Sequence, residues 1–147
     1  MQDSLDQKEL QHFSSFSDTW WDENGPFAPL HAMNPVRLDY IITKICLHFD
    51  KDRNSAAPLK GLRILDVGCG GGLICEPLAR LGADVTGLDA DAQAIDIAQS
   101  HASEENLDIT YLNTLSDDHL KDNAQSYDIV LGLEIIEHVR APQNFVD

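Results

Sequence analysis

Positive charge is what this chain of 147 residues has least of: 10 Lys and Arg stand against 25 Asp and Glu, a formal net charge of −15. A protein that grips a nucleic-acid backbone needs clustered cations to displace the counterions around the phosphates. No such cluster occurs, which argues against nucleic acid as the main partner. Long apolar runs are missing too: the longest are strand-sized, far below the roughly 20 residues that span a bilayer. The opening MQDSLDQKEL has neither the basic nor the apolar segment of a signal peptide, and its acidity has the wrong sign for a mitochondrial transit peptide. Cysteine is scarce. Cys46, Cys69 and Cys75 form no C-x-x-C pair and no metal-ligand spacing, so they are expected as reduced, buried thiols in a cytoplasm.

What is present divides at about residue 60. Leu5, Leu10, Phe13 and Phe16 are spaced for a short amphipathic helix over residues 4–16. The stretch WWDENGPFAPLHAMNPVR, Trp20 to Arg37, reads as a loop. Asn34 and Pro35 then suit a helix N-cap and first helical position, and Leu38, Ile41, Ile42, Ile45 and Phe49 follow at helical spacing. These residues, 1–50, form an expected helical cap, and the polar DKDRNSAAP marks a linker over 51–60. From residue 61 to 147 the period changes. RILDVG, DVTGLD, ITYLN and YDIVLG read as strands. Between them, Leu73 to Leu81 reads as a helix closed by Gly82, and Asp91 to about His101 as a second. Strands alternating with helices imply an α/β fold, an open parallel sheet with helices on both faces. The chain stops just after the fourth strand, where doubly wound domains usually continue, so a truncated product or fragment is expected.

DVGCGGG, Asp66 to Gly72, joins the first strand to the first helix of this domain, and its glycines permit positive φ and close approach of a ligand to the backbone. Leu73 stands where the dinucleotide pattern G-x-G-x-x-G needs its third glycine, and the Gly-Lys-Ser/Thr of a phosphate loop is absent. The loop fits instead the D/E-x-G-x-G-x-G of S-adenosylmethionine-dependent methyltransferases. Asp89 ends the second strand, where a carboxylate can accept both ribose hydroxyls. The competing role for Asp89 is to cap the next helix, which Asp91 can do equally well.

After the fourth strand comes EIIEH. Glu134, Glu137 and His138 are spaced i, i+3, i+4, one face of a helix, at the strand end where open α/β sheets bind ligands. Two carboxylates and an imidazole suit a divalent cation or acid/base work. Equally, the glutamates suit a helix N-terminus through the macrodipole. Leu133, at the strand's end, can form an apolar wall against an adenine ring.

ILDVGCGGG, VTGLD, YDIV with EIIEHV, and the upstream WWDENGPFAPLHAMNPVRLDYI together resemble the UbiG-type ubiquinone-biosynthesis O-methyltransferases, from about Phe13 to Val146. The glycine loop alone marks only the class I methyltransferase superfamily, with its Rossmann-like fold; the Trp20–Arg37 stretch narrows the resemblance to this family. The resemblance implies methyl transfer from S-adenosylmethionine to phenolic oxygens of polyprenylated catechol-type intermediates. Arg37, Gly68, Asp89 and Leu133 match cofactor-contacting positions, and Gly70 of the glycine loop is a further cofactor-binding candidate. Glu134, Glu137 and His138 match an acidic/His cluster associated with Mg²⁺ or another divalent cation, His138 being the candidate base. The long-tailed acceptor implies work at a membrane surface, by peripheral contact with the inner face of the cytoplasmic membrane or within a ubiquinone-biosynthesis complex. Trp20, Trp21, Phe27 and Pro29 are expected to form an apolar lid over the carboxyl edge of the sheet, or simply to pin the N-terminal helix to the core. The rival readings are a nicotinamide-dependent oxidoreductase, a methyltransferase of another small molecule and a non-catalytic cofactor-binding fragment.

Overall fold

The computed structural model describes residues 19–115, 118, 119, 121 and 126–133. The expected helix over 4–16 and the segment carrying Glu134, Glu137 and His138 lie outside the described residues. The elements run α1 (Ala28–His48), β1 (Arg63–Val67), α2 (Cys75–Arg80), β2 (Asp84–Asp89), α3 (Ala92–Glu104), β3 (Thr110–Asn113) and β4 (Ile129–Leu131). The four strands form one parallel sheet in the order β3-β2-β1-β4. This is the expected open α/β sheet, and all four strands lie within their expected segments.

Beyond Arg63 every residue of β1 is buried, and successive side chains enter cores on opposite faces of the sheet. Ile64 joins Val85, Tyr111, Leu59 and Leu78 in the main core, to which α1 contributes Ile41, Ile42, Ile45 and Cys46 and α3 contributes Ile95, Ala98 and Ala102. Leu65 and Val67, with Leu88 of β2, point to the other face against Tyr127. The period-2 side-chain alternation of a strand is the physical reason.

Each helix ends in the same way. Asp50, Gly82 and Asn106 adopt positive φ just past α1, α2 and α3. The next amides, Lys51, Ala83 and Leu107, donate back to Cys46, Leu78 and Ala102. These are the 6→1 bonds that close a helix on a left-handed residue. Asp91 caps α3, its Oδ1 accepting from the Gln93 amide at 3.0 Å.

One boundary differs from expectation. Helix α1 begins at Ala28, so Asn34 is no N-cap and Pro35 sits inside the helix. Proline there removes one backbone donor, and Pro35 is on the exposed side of the helix. The early start is held by Phe27, which stacks on Trp20 with ring centroids 3.8 Å apart, and Pro29 occupies the first helical turn, where its missing N–H costs nothing.

Leu78 is wholly buried between α2 and the sheet. Leu78→Ala should lower unfolding free energy by about 2–5 kcal/mol, as large-to-small changes at such sites do. Denaturant melts read this directly, and a loss below about 1 kcal/mol would contradict the packing described.

Candidate cofactor site

The sheet order reverses at β1, whose neighbours are β2 and β4. Ligands of open α/β sheets bind beyond the carboxyl ends of the strands at such a switch point. At that point β1 passes into the glycine turn. Gly68, Gly70 and Gly72 all have positive φ, so every second residue takes a conformation that other L-residues adopt only with strain. The turn is fastened to β2, because the amides of Gly68 and Cys69 both donate to Leu88 O, at 2.8 and 2.9 Å.

Asp89 closes the arrangement from the end of β2. Its Oδ2 accepts from the Gly70 amide and its Oδ1 from the Asp91 amide, each at 2.8 Å. Because Asp91 does the capping, the Asp89 carboxylate is left facing the turn, half-buried, with lone pairs to spare on both oxygens. Burial pushes the Asp89 carboxyl up to about 6, against the pull of the Asp91 and Gly70 amides. Beneath the turn, Asp66 is buried and accepts from the Cys75 thiol at 3.4 Å. Burial pushes Asp66 up to about 7; the thiol opposes the shift, and the Asp89 charge adds to it. Cys46, Cys69 and Cys75 are free and buried, as expected.

The cap lies directly on this turn. The Trp20 ring covers Gly70 and Gly71 so closely that a Cβ on either would run into it. Trp20 and Phe27 are buried and pack with Leu73 and Ala94, with Trp21 half-buried beside them. Pro29, placed by expectation in the same lid, is exposed. Two carbonyls of the turn find partners in the cap: Trp21 Nε1 donates to Gly71 O at 2.9 Å, and Asn34 Nδ2 to Leu73 O at 2.8 Å. Arg37 lies in the interior of α1, not on its first turn, and three residues after Asn34 it shares that residue's side of the helix. Leu133, two residues past β4, packs against the main core. The structure thus gathers Gly68, Gly70 and Asp89 at one point, with Leu133 on the adjoining strand end and Arg37 on the cap helix.

Three participants escaped sequence reasoning. Asn34 reads as a helix cap, and His31 and His101 show no spacing pattern. His31 Nε2 lies 2.9 Å from Trp20 O, and His101 Nδ1 lies 2.6 Å from Oε2 of the wholly buried Glu76. Only long-range packing reveals these pairs. Among the described residues no group of three His, Cys, Asp or Glu side chains could hold a metal ion, and no helix is long and apolar enough to cross a membrane.

An open parallel sheet with a positive-φ glycine turn after its first strand and a carboxylate ending its second defines a Rossmann-like ligand-binding domain. The chain belongs to the methyltransferase domain family, whose pattern it matches over residues 64–146. It is 50% identical over 136 residues to a Brucella ovis protein named ubiquinone biosynthesis O-methyltransferase, an overlap of 92% of this chain and 54% of that protein. A Roseobacter denitrificans protein of the same name is 48% identical over 145 residues, 99% of this chain and 58% of the other. The chain therefore spans little more than half the length of the curated relatives it matches. Among solved structures, magnesium protoporphyrin IX methyltransferase from Synechocystis PCC 6803, crystallised with bound SAM, shares the fold at a TM-score of 0.64 and 23% identity, over 92% of this chain and 65% of that one.

The buried carboxyls make stability depend on pH. Between about pH 4 and 7 the folded chain keeps on Asp66 a proton that the unfolded chain releases. Folding is therefore favoured at the acid end of this window, and the contribution is lost as pH rises towards 7. Asp66→Asn should flatten that slope between about pH 4 and 7 and raise stability at pH 8 by about 1–3 kcal/mol. Chemical denaturation at several pH values measures it; an unchanged slope would show that Asp66 does not titrate in this range.

Proposed function

We propose that the protein bearing this chain is an S-adenosylmethionine-dependent O-methyltransferase that methylates phenolic hydroxyls of polyprenylated catechol or hydroquinone intermediates in ubiquinone biosynthesis. The observation that carries the cofactor reading is the Asp89 carboxylate, held against the glycine turn by the Gly70 amide and still able to accept. The acceptor class is supported by the name shared by relatives about half identical to this chain, over nearly all of it.

The residues present suit such a cofactor. Asp89 is a ready acceptor for a pair of ribose hydroxyls, and Leu133 offers an apolar surface to the adenine. Arg37 is the candidate partner for the amino-acid carboxylate, which a guanidinium can grip with two parallel bonds. The carboxylates Asp66, Asp89 and Asp91 around the turn favour a cationic ligand over a pyrophosphate. When bound, S-adenosylmethionine supplies a methyl group on a positively charged sulfur, ready for displacement. The protein's task is then mainly to align the acceptor oxygen and exclude water, and Trp20 and Phe27 are the apolar groups placed to do the second. A phenol, with a pKa of about 10 by analogy with tyrosine, must also lose its proton as the new O–C bond forms. His138 is the proposed base. The alternative is that Glu134, Glu137 and His138 hold a divalent cation that would lower the phenol pKa, with His138 a ligand instead of the base, since two carboxylates and an imidazole suit Mg²⁺ or a borderline metal. The net charge of −15 opposes binding to anionic lipid, so contact with the membrane that holds the acceptor would be apolar and local, or through partner proteins.

Calorimetric titration of the full-length protein with S-adenosylmethionine, then NADH, tests the cofactor. Asp89→Ala should weaken S-adenosylmethionine binding by about 10- to 100-fold, as loss of charged hydrogen bonds does. Arg37→Lys should weaken it by roughly tenfold, because lysine lacks the fork. Binding of NADH in its place would overturn the proposal. A methyl-transfer assay on a short-chain catechol tests the acceptor and the acidic cluster together. Glu137→Ala and His138→Ala should each lower the rate by about 100-fold or more, with altered Mg²⁺ dependence. Wild-type rates in both variants would remove the cluster from the mechanism.

A further inference from the structure

One buried charge has no part in the chemistry above. The Glu76 side chain is wholly buried, and both its oxygens are engaged: Arg80 Nη2 donates to Oε1 at 3.2 Å, and His101 Nδ1 lies 2.6 Å from Oε2. Arg80 also reaches Glu105 Oε2 at 3.4 Å. A buried carboxylate is tolerated only when paired and hydrogen-bonded, so Glu76 ties down the imidazole that serves it. On the face of that imidazole lies Trp21, with ring centroids 3.7 Å apart and planes 3° from parallel. His31 of α1 meets the same indole at 6.2 Å, edge to face. The indole N–H in turn donates to Gly71 O.

Three stretches distant in sequence thus meet in a chain of contacts: Trp21 of the cap, Gly71 of the turn with Glu76 of the α2 that follows it, and His101 of α3. Trp21 lies outside the regular elements and is half-buried at the margin of the Trp20–Phe27 cluster, with the His101 ring stacked on its face. Gly71 has no side chain to anchor it and follows Gly70, whose amide holds Asp89. The Gly71 carbonyl lies in the Gly71–Gly72 peptide plane, two planes along from the one that carries the Gly70 amide, so holding it restrains the same short turn.

We propose that Trp21 is a positioning residue for the cofactor turn, a clamp whose face is held by the Glu76–His101 pair and whose N–H holds the Gly71 carbonyl. Its bearing on cofactor binding rests on the turn being the S-adenosylmethionine site; the clamp itself does not. The test uses full-length protein carrying Trp21→Phe, His101→Ala or His101→Phe. Amide hydrogen exchange across residues 68–72 is measured without cofactor, and S-adenosylmethionine affinity by calorimetry. Trp21→Phe and His101→Ala should speed exchange in the turn by about threefold or more and leave the β1 and β2 amides as they were. They should weaken affinity by roughly 3- to 10-fold, the range for loss of one hydrogen bond. His101→Phe restores a ring for Trp21 but leaves Glu76 with Arg80 alone, so it should recover turn protection while melting at a lower temperature than wild type. A purely structural role for His101 predicts the reverse, with exchange rising everywhere in step with lost stability. Turn exchange unchanged in Trp21→Phe, or no recovery in His101→Phe, would overturn the clamp. If the exchange pattern holds but wild type binds no S-adenosylmethionine, the cofactor reading falls and the clamp stands.

Discussion

The hydrogen bond from the Gly70 amide to Asp89 Oδ2 is the constraint around which the rest is arranged. For it to form, β1 must end in a turn that brings a backbone N–H across to the end of β2, which requires positive φ at Gly68, Gly70 and Gly72. The turn must also be bare on its outer side, because Trp20 lies on Gly70 and Gly71. The same short glycine segment thus satisfies two surfaces at once, the sheet below and the cap above. A side chain at either covered position would separate one of them.

Acidic residues gather at this point at considerable electrostatic cost, and each has its own local remedy. Asp89 is held by two backbone amides, Asp66 by the Cys75 thiol, Asp91 by the amide it caps, and Glu76 by an arginine and a histidine. The remedies differ in strength. A thiol is a weak donor, and burial pushes Asp66 up to about 7, further than Asp89 with its backbone amides, which reaches about 6. Asp89 faces the turn with acceptor capacity to spare.

Much of this was legible in the residues because it is local. Strand β2 occupies the segment DVTGLD that its composition marks, Gly82 closes α2, and Asp91 caps α3. The glycine spacing, read with Asp89 at the next strand end, marks the turn and the carboxylate that the fold brings together. What was not legible depends on pairs remote in sequence. Glu76 and His101 are 25 residues apart, and Trp21 and Gly71 are 50 apart, so no period or spacing brings them together. The start of α1 was misplaced for a related reason. Asn34-Pro35 has the local chemistry of a helix start, but stacking of Phe27 on Trp20 holds the preceding residues helical. Asn34 turns its amide to Leu73 instead.

That use of Asn34 shows why cap and turn belong together. A backbone reversing through glycines cannot pair all its own carbonyls, and buried acceptors need partners. Gly71 O and Leu73 O, on either side of Gly72, accept from Trp21 and Asn34 of the cap. The apolar grip there is a small cluster of Trp20, Phe27, Leu73 and Ala94, separate from the main core under α1. Regions held by few apolar contacts and a handful of hydrogen bonds open more readily than the core strands. The C-terminal half of α1, anchored by Ile41, Ile42 and Ile45, stays with the sheet. The residues before it can lift from the turn at the cost of that small cluster and those bonds. The cap is therefore fastened firmly at its far end, by Ile41, Ile42 and Ile45, and more lightly over the glycine turn, by a small apolar cluster and two hydrogen bonds.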